Sequence, residues 1–245
     1  MSVEGWFLQM LSRVIYVKGN ELSEKCKNEL VESLEKYNWE YEVVEGITPS
    51  TLNESDFPWD DLPNGRLESM KSHINPEEKR KYKTKKSCLF NNLKFAQDVI
   101  KRNESMIFLE HDVLVTSPTP SIEEPEYFCF LNIDGAFKKP NVLANYPELV
   151  KWYTDNNHKL GVQDFPSSYP LRYYKDNEWK GECMTPGLSG YILTVKGAKR
   201  LLENVERYGL EQGDFTFNNK VIPMQYIYPS PLKFQSINPN LSHKL

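Results

Sequence analysis

The chain has 245 residues, a formal net charge of −4, and 39% hydrophobic and 13% aromatic residues; its mean hydropathy is −0.60. That is length enough for one large α/β domain or two small ones, and the charge balance is too acidic for a general nucleic-acid coat protein. No apolar run approaches the ~20 residues of a membrane span, the first residues carry an acid and no basic cluster of the kind a secretory signal has, and Cys26, Cys88, Cys129 and Cys183 are widely spaced with no CxxC pair, which suits free thiols in a reducing, cytoplasmic compartment.

In chain order, Ser12-Arg-Val-Ile-Tyr-Val17 has the composition of a buried strand closed by Gly19-Asn20. Ser23 is the expected N-cap of a helix over residues 24–37, with Cys26, Leu30, Leu34 and Tyr37 on one face. Residues 39–45 read as a second strand closed by Gly46, which makes a right-handed β-α-β opening. Residues 49–86 are rich in turn residues and weak in periodicity, so they read as an insertion, either a long active-site loop or a short helical one. Leu89, Leu93, Ala96 and Ile100 fall at helical spacing and predict a helix over 87–101. Strands are expected at 106–109, 127–133, 188–193 and 224–228, and helices near 147–154 and over 195–208, the last with Ala198, Leu201, Leu202 and Val205 inward. Residues 229–245 read as a tail. The alternation of strands and helices places the chain in the α/β class with a mostly parallel sheet.

The chemistry concentrates in Ile107-Phe-Leu-Glu110-His111-Asp112-Val113-Leu114. Two carboxylates and an imidazole at the end of a buried strand are costly unless something pairs with them. Hard carboxylate oxygens suit Mg²⁺ or Mn²⁺, and ligands of α/β sheets bind at the carboxyl ends of strands. A strand ending in an ordinary polar turn is the equal alternative. A second feature is Lys79-Arg80-Lys81-Tyr82-Lys83-Thr84-Lys85-Lys86, with six basic residues in eight. It reads as a solvated charged face, or as a phosphate-binding patch with Tyr82 free to stack. No Walker loop or GxGxxG occurs, which counts against NTPase and dehydrogenase readings.

Three blocks together resemble the family 25 glycosyltransferases, which include lipopolysaccharide-type and collagen galactosyltransferases. Val14-Ile-Tyr-Val17 with Glu45-Gly46 is similar to the family's opening strand and its Val-Asp-Gly. Ser87-Cys-Leu-Phe-Asn-Asn-Leu-Lys94 and Met106-Ile-Phe-Leu-Glu-His-Asp-Val113 match Gly-Cys-Ala-Leu-Ser-His and Leu-Glu-Asp-Asp-Val. Residues 187–202 look like Gly-Thr-x-Ala-Tyr-Ile-Ile-Ser-x-Lys-Gly-Ala-x-x-Leu-Leu. Order and spacing agree across most of residues 14–228. Two departures stand out: Asn91-Asn92 replaces Ser-His, and His111 replaces the middle Asp.

The resemblance implies a GT-A, Rossmann-like nucleotide-sugar-binding fold, one domain over 1–245 with its insertion at about 49–86. It implies a hexosyl- or pentosyltransferase with a UDP-sugar donor and a divalent cation, Mn²⁺ or Mg²⁺. Asp112 is the expected metal ligand, with Glu110 and His111 as helpers. His243 is either a further ligand or a tail residue. Val17, Glu45, Gly46, Asn91, Asn92, Glu110, Gly187, Ser189 and Gly190 are expected around the donor. Asp214 is the expected base for an inverting reaction, with Asp134 second; a turn role after Gly213 is nearly as good a reading of Asp214. For the acceptor, Lys79, Arg80, Lys81, Tyr82, Lys83, Lys85 and Lys86 favour a polyanion, such as a hydroxymethylated base in phage DNA extruded from the stack. A lipopolysaccharide-type or other glycan acceptor is the close rival. A non-catalytic nucleotide-sugar-binding module and a nucleotidyl or phosphoryl enzyme on the same sheet stay open.

Overall fold

The computed structural model describes residues 10–120, 124–137, 147–165, 172–173, 182–183 and 187–235. Its centre is a seven-stranded sheet in the order β2-β1-β3-β9-β5-β10-β6. The strands are β1 (Ser12–Tyr16), β2 (Tyr41–Glu45), β3 (Met106–Glu110), β5 (Phe128–Phe130), β6 (Gly161–Asp164), β9 (Gly190–Leu193) and β10 (Gln225–Tyr228). β2, β1 and β3 pair in parallel, as do β5 and β10. β9 runs antiparallel between β3 and β5, and β6 antiparallel on the far edge. The sheet is therefore mostly parallel in strand direction, as expected, with one reversed strand inside it. A short ladder joins β4 (Val113–Val115) to β11 (Leu232–Phe234), so the expected tail contributes a strand. Another joins β7 (Arg172–Tyr173) to β8 (Glu182–Cys183). His243 lies outside the described residues.

The helices cover both faces. α1 (Glu21–Lys36) buries Cys26, Leu30 and Leu34 as the spacing predicts. Its cap is Asn20, whose side chain accepts from Ser23 N at 2.9 Å, not Ser23. Ser23 Oγ instead accepts the N–H of Val17 at 2.8 Å, tying the end of β1 to the helix. α2 (Arg66–Ser72) lies in the insertion. α3 (Pro76–Arg102) is 27 residues long, eleven residues longer at its start than expected. Pro76 occupies the first turn, where its missing N–H costs nothing, and the Asn75 side chain caps Glu77 N. α4 (Ile133–Phe137) and α5 (Pro147–Asp155) follow, then α6 (Val195–Tyr208) and α7 (Gly213–Thr216).

Alternation along β3 divides the core. Met106 and Phe108 face a cluster with α3 and α6, including Leu89, Leu93, Ala198 and Leu201. Ile107 and Leu109 face a second cluster with Leu30 and Leu34 of α1 and Val113 and Leu232 of the small ladder. This is the period-two pattern of a strand buried on both faces. Because β1, β2 and β3 all point one way, their carboxyl ends open on the same edge, and that edge carries the acidic turn. Among the described residues no helix is long and apolar enough to cross a membrane.

Candidate active site

A pocket of about 310 Å³ opens at that edge. β1 contributes Ile15 and Tyr16, with Val17 and Asn20 beyond it; the segment after β2 contributes Gly46, Ile47, Thr48 and Pro49. α3 supplies Thr84, Ser87, Cys88, Asn91 and Asn92, and β3 ends in Phe108, Glu110, His111 and Asp112. The pocket thus gathers Val17, Gly46, Asn91, Asn92, Glu110, His111 and Asp112 from the sequence-based site. Thr84, Ser87 and Asn91 recur at helical spacing on α3, a stripe hidden from the sequence reading by its late helix start.

The wall after β2 is fixed from α3. Asn91 Oδ1 accepts the N–H of Ile47 at 2.7 Å, and Asn91 Nδ2 donates to Ile47 O at 3.1 Å. One side-chain amide thus pairs with the backbone as a neighbouring strand would. Gly46 is needed beside it, since a Cβ there would meet Ile15 Cγ2 at 2.8 Å. Asn92 Nδ2 donates to Cys88 O at 2.7 Å, and Asn92 Oδ1 accepts the hydroxyl of the fully buried Tyr191 at 2.6 Å. The two asparagines that replace Ser-His therefore hold the pocket's frame.

The acidic turn is held as firmly. The N–H of Glu110 donates to Ser189 O at 3.0 Å. His111 is 9% exposed, and its Nε2 is buried with no hydrogen-bond partner among the described residues. Burial pushes the His111 pKa down, against the pull of Asp112. Burial pushes the Cys88 thiol up to about 12, with Glu110 and Asp214 adding to the rise. Asp214 sits in the single turn of α7 and is not among the residues that line the pocket; α7 packs near Asn92, since a Cβ on Gly213 would lie 3.7 Å from Asn92 Nδ2. Among the described residues no three His, Cys, Asp or Glu side chains gather into a metal-binding group. Glu110 and Asp112 do fit a cation that takes one or two protein carboxylates and fills its shell from phosphates and water, as Mg²⁺ commonly does.

Other expected site residues stand elsewhere. Glu45 is exposed and pairs with Lys18 at 3.3 Å. Ser189 Oγ accepts from Asn132 Nδ2 at 3.0 Å, behind the acidic turn. Gly190 is packed so closely that a Cβ would lie 2.3 Å from Leu232 Cδ1, and Gly187 supplies a positive φ of 122° at the approach to β9. None of these four lines the pocket. Asp134 exchanges two hydrogen bonds with Ser230, at 2.8 and 3.0 Å, and anchors α4 to the segment before β11.

The basic run forms the start of α3, and the structure corrects the reading of two of its members. Tyr82 is 6% and Lys86 3% exposed, so neither faces an acceptor. Lys86 Nζ lies 2.8 Å from Glu54, 2.8 Å from the Tyr82 hydroxyl and 3.5 Å from Asp61. The reason is helical period: positions 82, 86, 89 and 93 fall on the core face. Lys81 is engaged by Glu77 and Glu78. Lys79, Arg80 and Lys83 remain exposed, and Lys85 is half-buried.

The family described as Glycosyltransferase family 25 (LPS biosynthesis protein) matches residues 14–216. No curated protein matches. Among solved structures, the apo crystal structure of mouse xyloside xylosyltransferase 1 is similar at 12% identity and a TM-score of 0.39, covering 85% of this chain and 80% of that one. The match over residues 14–216 spans the β1 edge, the acidic turn and α7, and the chain belongs to glycosyltransferase family 25.

Proposed function

We propose that this glycosyltransferase binds a nucleotide sugar in the pocket at the ends of β1, β2 and β3 and transfers the sugar to an acceptor hydroxyl, the whole chain acting as one catalytic unit. The observation that carries the reading is the convergence of Glu110, His111 and Asp112 with the Asn91-fixed wall on a single pocket. Asp112 and Glu110 would hold a Mg²⁺ or Mn²⁺ ion, whose contribution is to offset the charge that develops on the departing diphosphate. His111 is buried beside the two carboxylates, where Glu110 pairs with Ile15 of β1. Asp214, on the short helix that packs near Asn92, serves as the base that takes the acceptor proton. Asp134, already committed to Ser230, is the weaker candidate. UDP is the nucleotide favoured by the family resemblance.

The acceptor reading rests on α3. Arg80 lies on the same helical stripe as Thr84, Ser87 and Asn91, one turn beyond the pocket, with Lys79 and Lys83 exposed beside it. Those cations favour a phosphate-bearing acceptor such as hydroxymethylated DNA. With Tyr82 turned inward, stacking is no longer part of that argument, and a glycan is the second reading.

A screen of nucleotide sugars with Mn²⁺ or EDTA, with and without hydroxymethylated DNA, tests the proposal beside Asp112→Ala. Metal-dependent nucleotide release that rises with DNA and disappears in the variant is the expected result. Release indifferent to DNA and to salt would move the acceptor to glycans, because phosphate contacts weaken steeply with ionic strength. Nucleotide binding without release from any donor would leave only a binding module.

A further inference from the structure

Three successive carbonyls of the acidic turn converge on one residue outside the pocket. Gln235 Nε2 donates to His111 O at 3.0 Å and to Val113 O at 3.2 Å, and the backbone N–H of Gln235 donates to Asp112 O at 2.9 Å. The same Nε2 also lies 2.7 Å from Cys26 O of α1, so its two hydrogens are shared among three carbonyl oxygens. Gln235 follows β11 directly, and the Phe234–Val113 pairing sets it beside the turn. It is 4% exposed. The amide orientation is dictated by its partners, since exchanging its oxygen and nitrogen would set an oxygen against three carbonyl oxygens. Its Oε1 is buried and, among the described residues, has no hydrogen bond. Leaving such an acceptor unmatched costs stability, and a leucine of similar size would avoid that cost. The amide is therefore explained by the three carbonyls it serves rather than by packing.

Carbonyl directions at 111, 112 and 113 set the peptide planes of the turn, and the peptide planes set where the His111 and Asp112 side chains leave the backbone. The turn is joined to β1 through the pairing of Glu110 with Ile15, and held from the other side through Gln235. We infer that Gln235 is a positioning residue for the cation-binding turn, holding Asp112 in its binding direction before any cation or donor arrives. The inference rests on the reading of Glu110 and Asp112 as the cation site. Preorganisation of this kind lowers the ordering cost of binding and so appears as affinity.

The test compares the full-length protein with Gln235→Leu, which keeps the volume and removes every side-chain hydrogen bond, and with Val205→Ala, which destabilises α6 on the opposite face. Two readouts are taken well below the melting temperature of either variant. The first is hydrogen exchange of the peptide covering residues 106–115 without metal. The second is Mn²⁺ binding in the presence of UDP, followed by the loss of the free-ion paramagnetic resonance signal. Gln235→Leu should speed exchange in that peptide about 10-fold and weaken Mn²⁺ binding by a similar factor, with kcat largely recovered at saturating Mn²⁺; Val205→Ala should do neither. Unchanged exchange and unchanged Mn²⁺ binding in Gln235→Leu, with binding present in the unmodified protein, would overturn the inference alone. No Mn²⁺ binding by the unmodified protein would overturn the cation reading beneath it.

Discussion

Glu211 offers a prediction whose sign distinguishes two opposing forces. It is 1% exposed, and its carboxylate accepts the N–H of Arg66 at 2.6 Å, of Leu67 at 3.2 Å and of Gln212 at 2.5 Å. It thus caps α2, whose own cap position, Gly65, has no side chain to offer. The N–H groups favour the carboxylate, yet burial outweighs them and lifts the pKa from 4.5 to about 7. A carboxyl raised on folding contributes stability that is fully present below its unfolded pKa and is lost as pH rises through the folded one. The window is therefore about pH 4.5 to 7. Two-state linkage between those values gives roughly 2.5 kcal/mol lost between about pH 5 and pH 8. Urea unfolding of the unmodified protein and Glu211→Gln near both pH values isolates this group, because the other titrations cancel in the difference. The unmodified protein's advantage over the variant should be larger near pH 5 by about that amount. An advantage equal at both pH values, or larger near pH 8, would refute the argument and mean that the three N–H donors, not burial, govern the carboxyl.

Asp214→Asn should lower kcat by about 10²–10⁴-fold with little change in donor KM if Asp214 is the base, read from initial rates at saturating donor. Asn91→Asp replaces the donor to Ile47 O with a second acceptor; donor KM should rise about 10-fold through the displaced wall, on the scale of one lost buried hydrogen bond. Lys86→Met leaves Asp61, whose side chain is 4% exposed, without its buried cation, and should cost about 3–5 kcal/mol in urea unfolding, with a smaller loss once Asp61 is also made neutral.

The order of strands and helices was legible because each buried element carries its own period: Leu89, Leu93 and Ala96 mark α3, and the apolar run into Glu110 marks β3. What escaped depends on context. Asn75-Pro76 has the composition of a turn, yet it is a cap followed by a proline at the one helical position that tolerates it. That misreading hid the stripe of Thr84, Ser87 and Asn91, and made Tyr82 and Lys86 look solvent-facing. The reversal of β9 was illegible for a different reason: Gly190–Leu193 is buried on both sides, and residue pattern carries no strand direction. The acidic turn was found because it concentrates charge locally. The contact proposed for Gln235 was not, since Gln235 lies 124 residues from His111 and is one of several polar residues in Gln235-Ser-Ile-Asn238 with nothing to single it out.

The same distinction explains how the insertion takes part in the site. Residues 49–86 have no sheet strand of their own, yet they are bonded to the segment that leads into α7. Leu62 N donates to Leu210 O and Leu210 N to Asp60 O, each at 2.8 Å, and Glu211 caps α2 one residue later. The insertion is also joined to α3 through Lys86, Glu54 and Asp61. Its first residue, Pro49, lines the pocket with Thr48. Pocket wall, insertion and the Asp214 segment therefore share a chain of buried polar contacts. A change that loosens Glu211 should reach Asp214 through two covalent neighbours, whereas reaching Asp112 requires passage through α3 and β3. On the proposed roles, base function should thus be more sensitive to the insertion than cation binding, because the acidic turn is tied separately by the Glu110–Ile15 pairing and by Gln235.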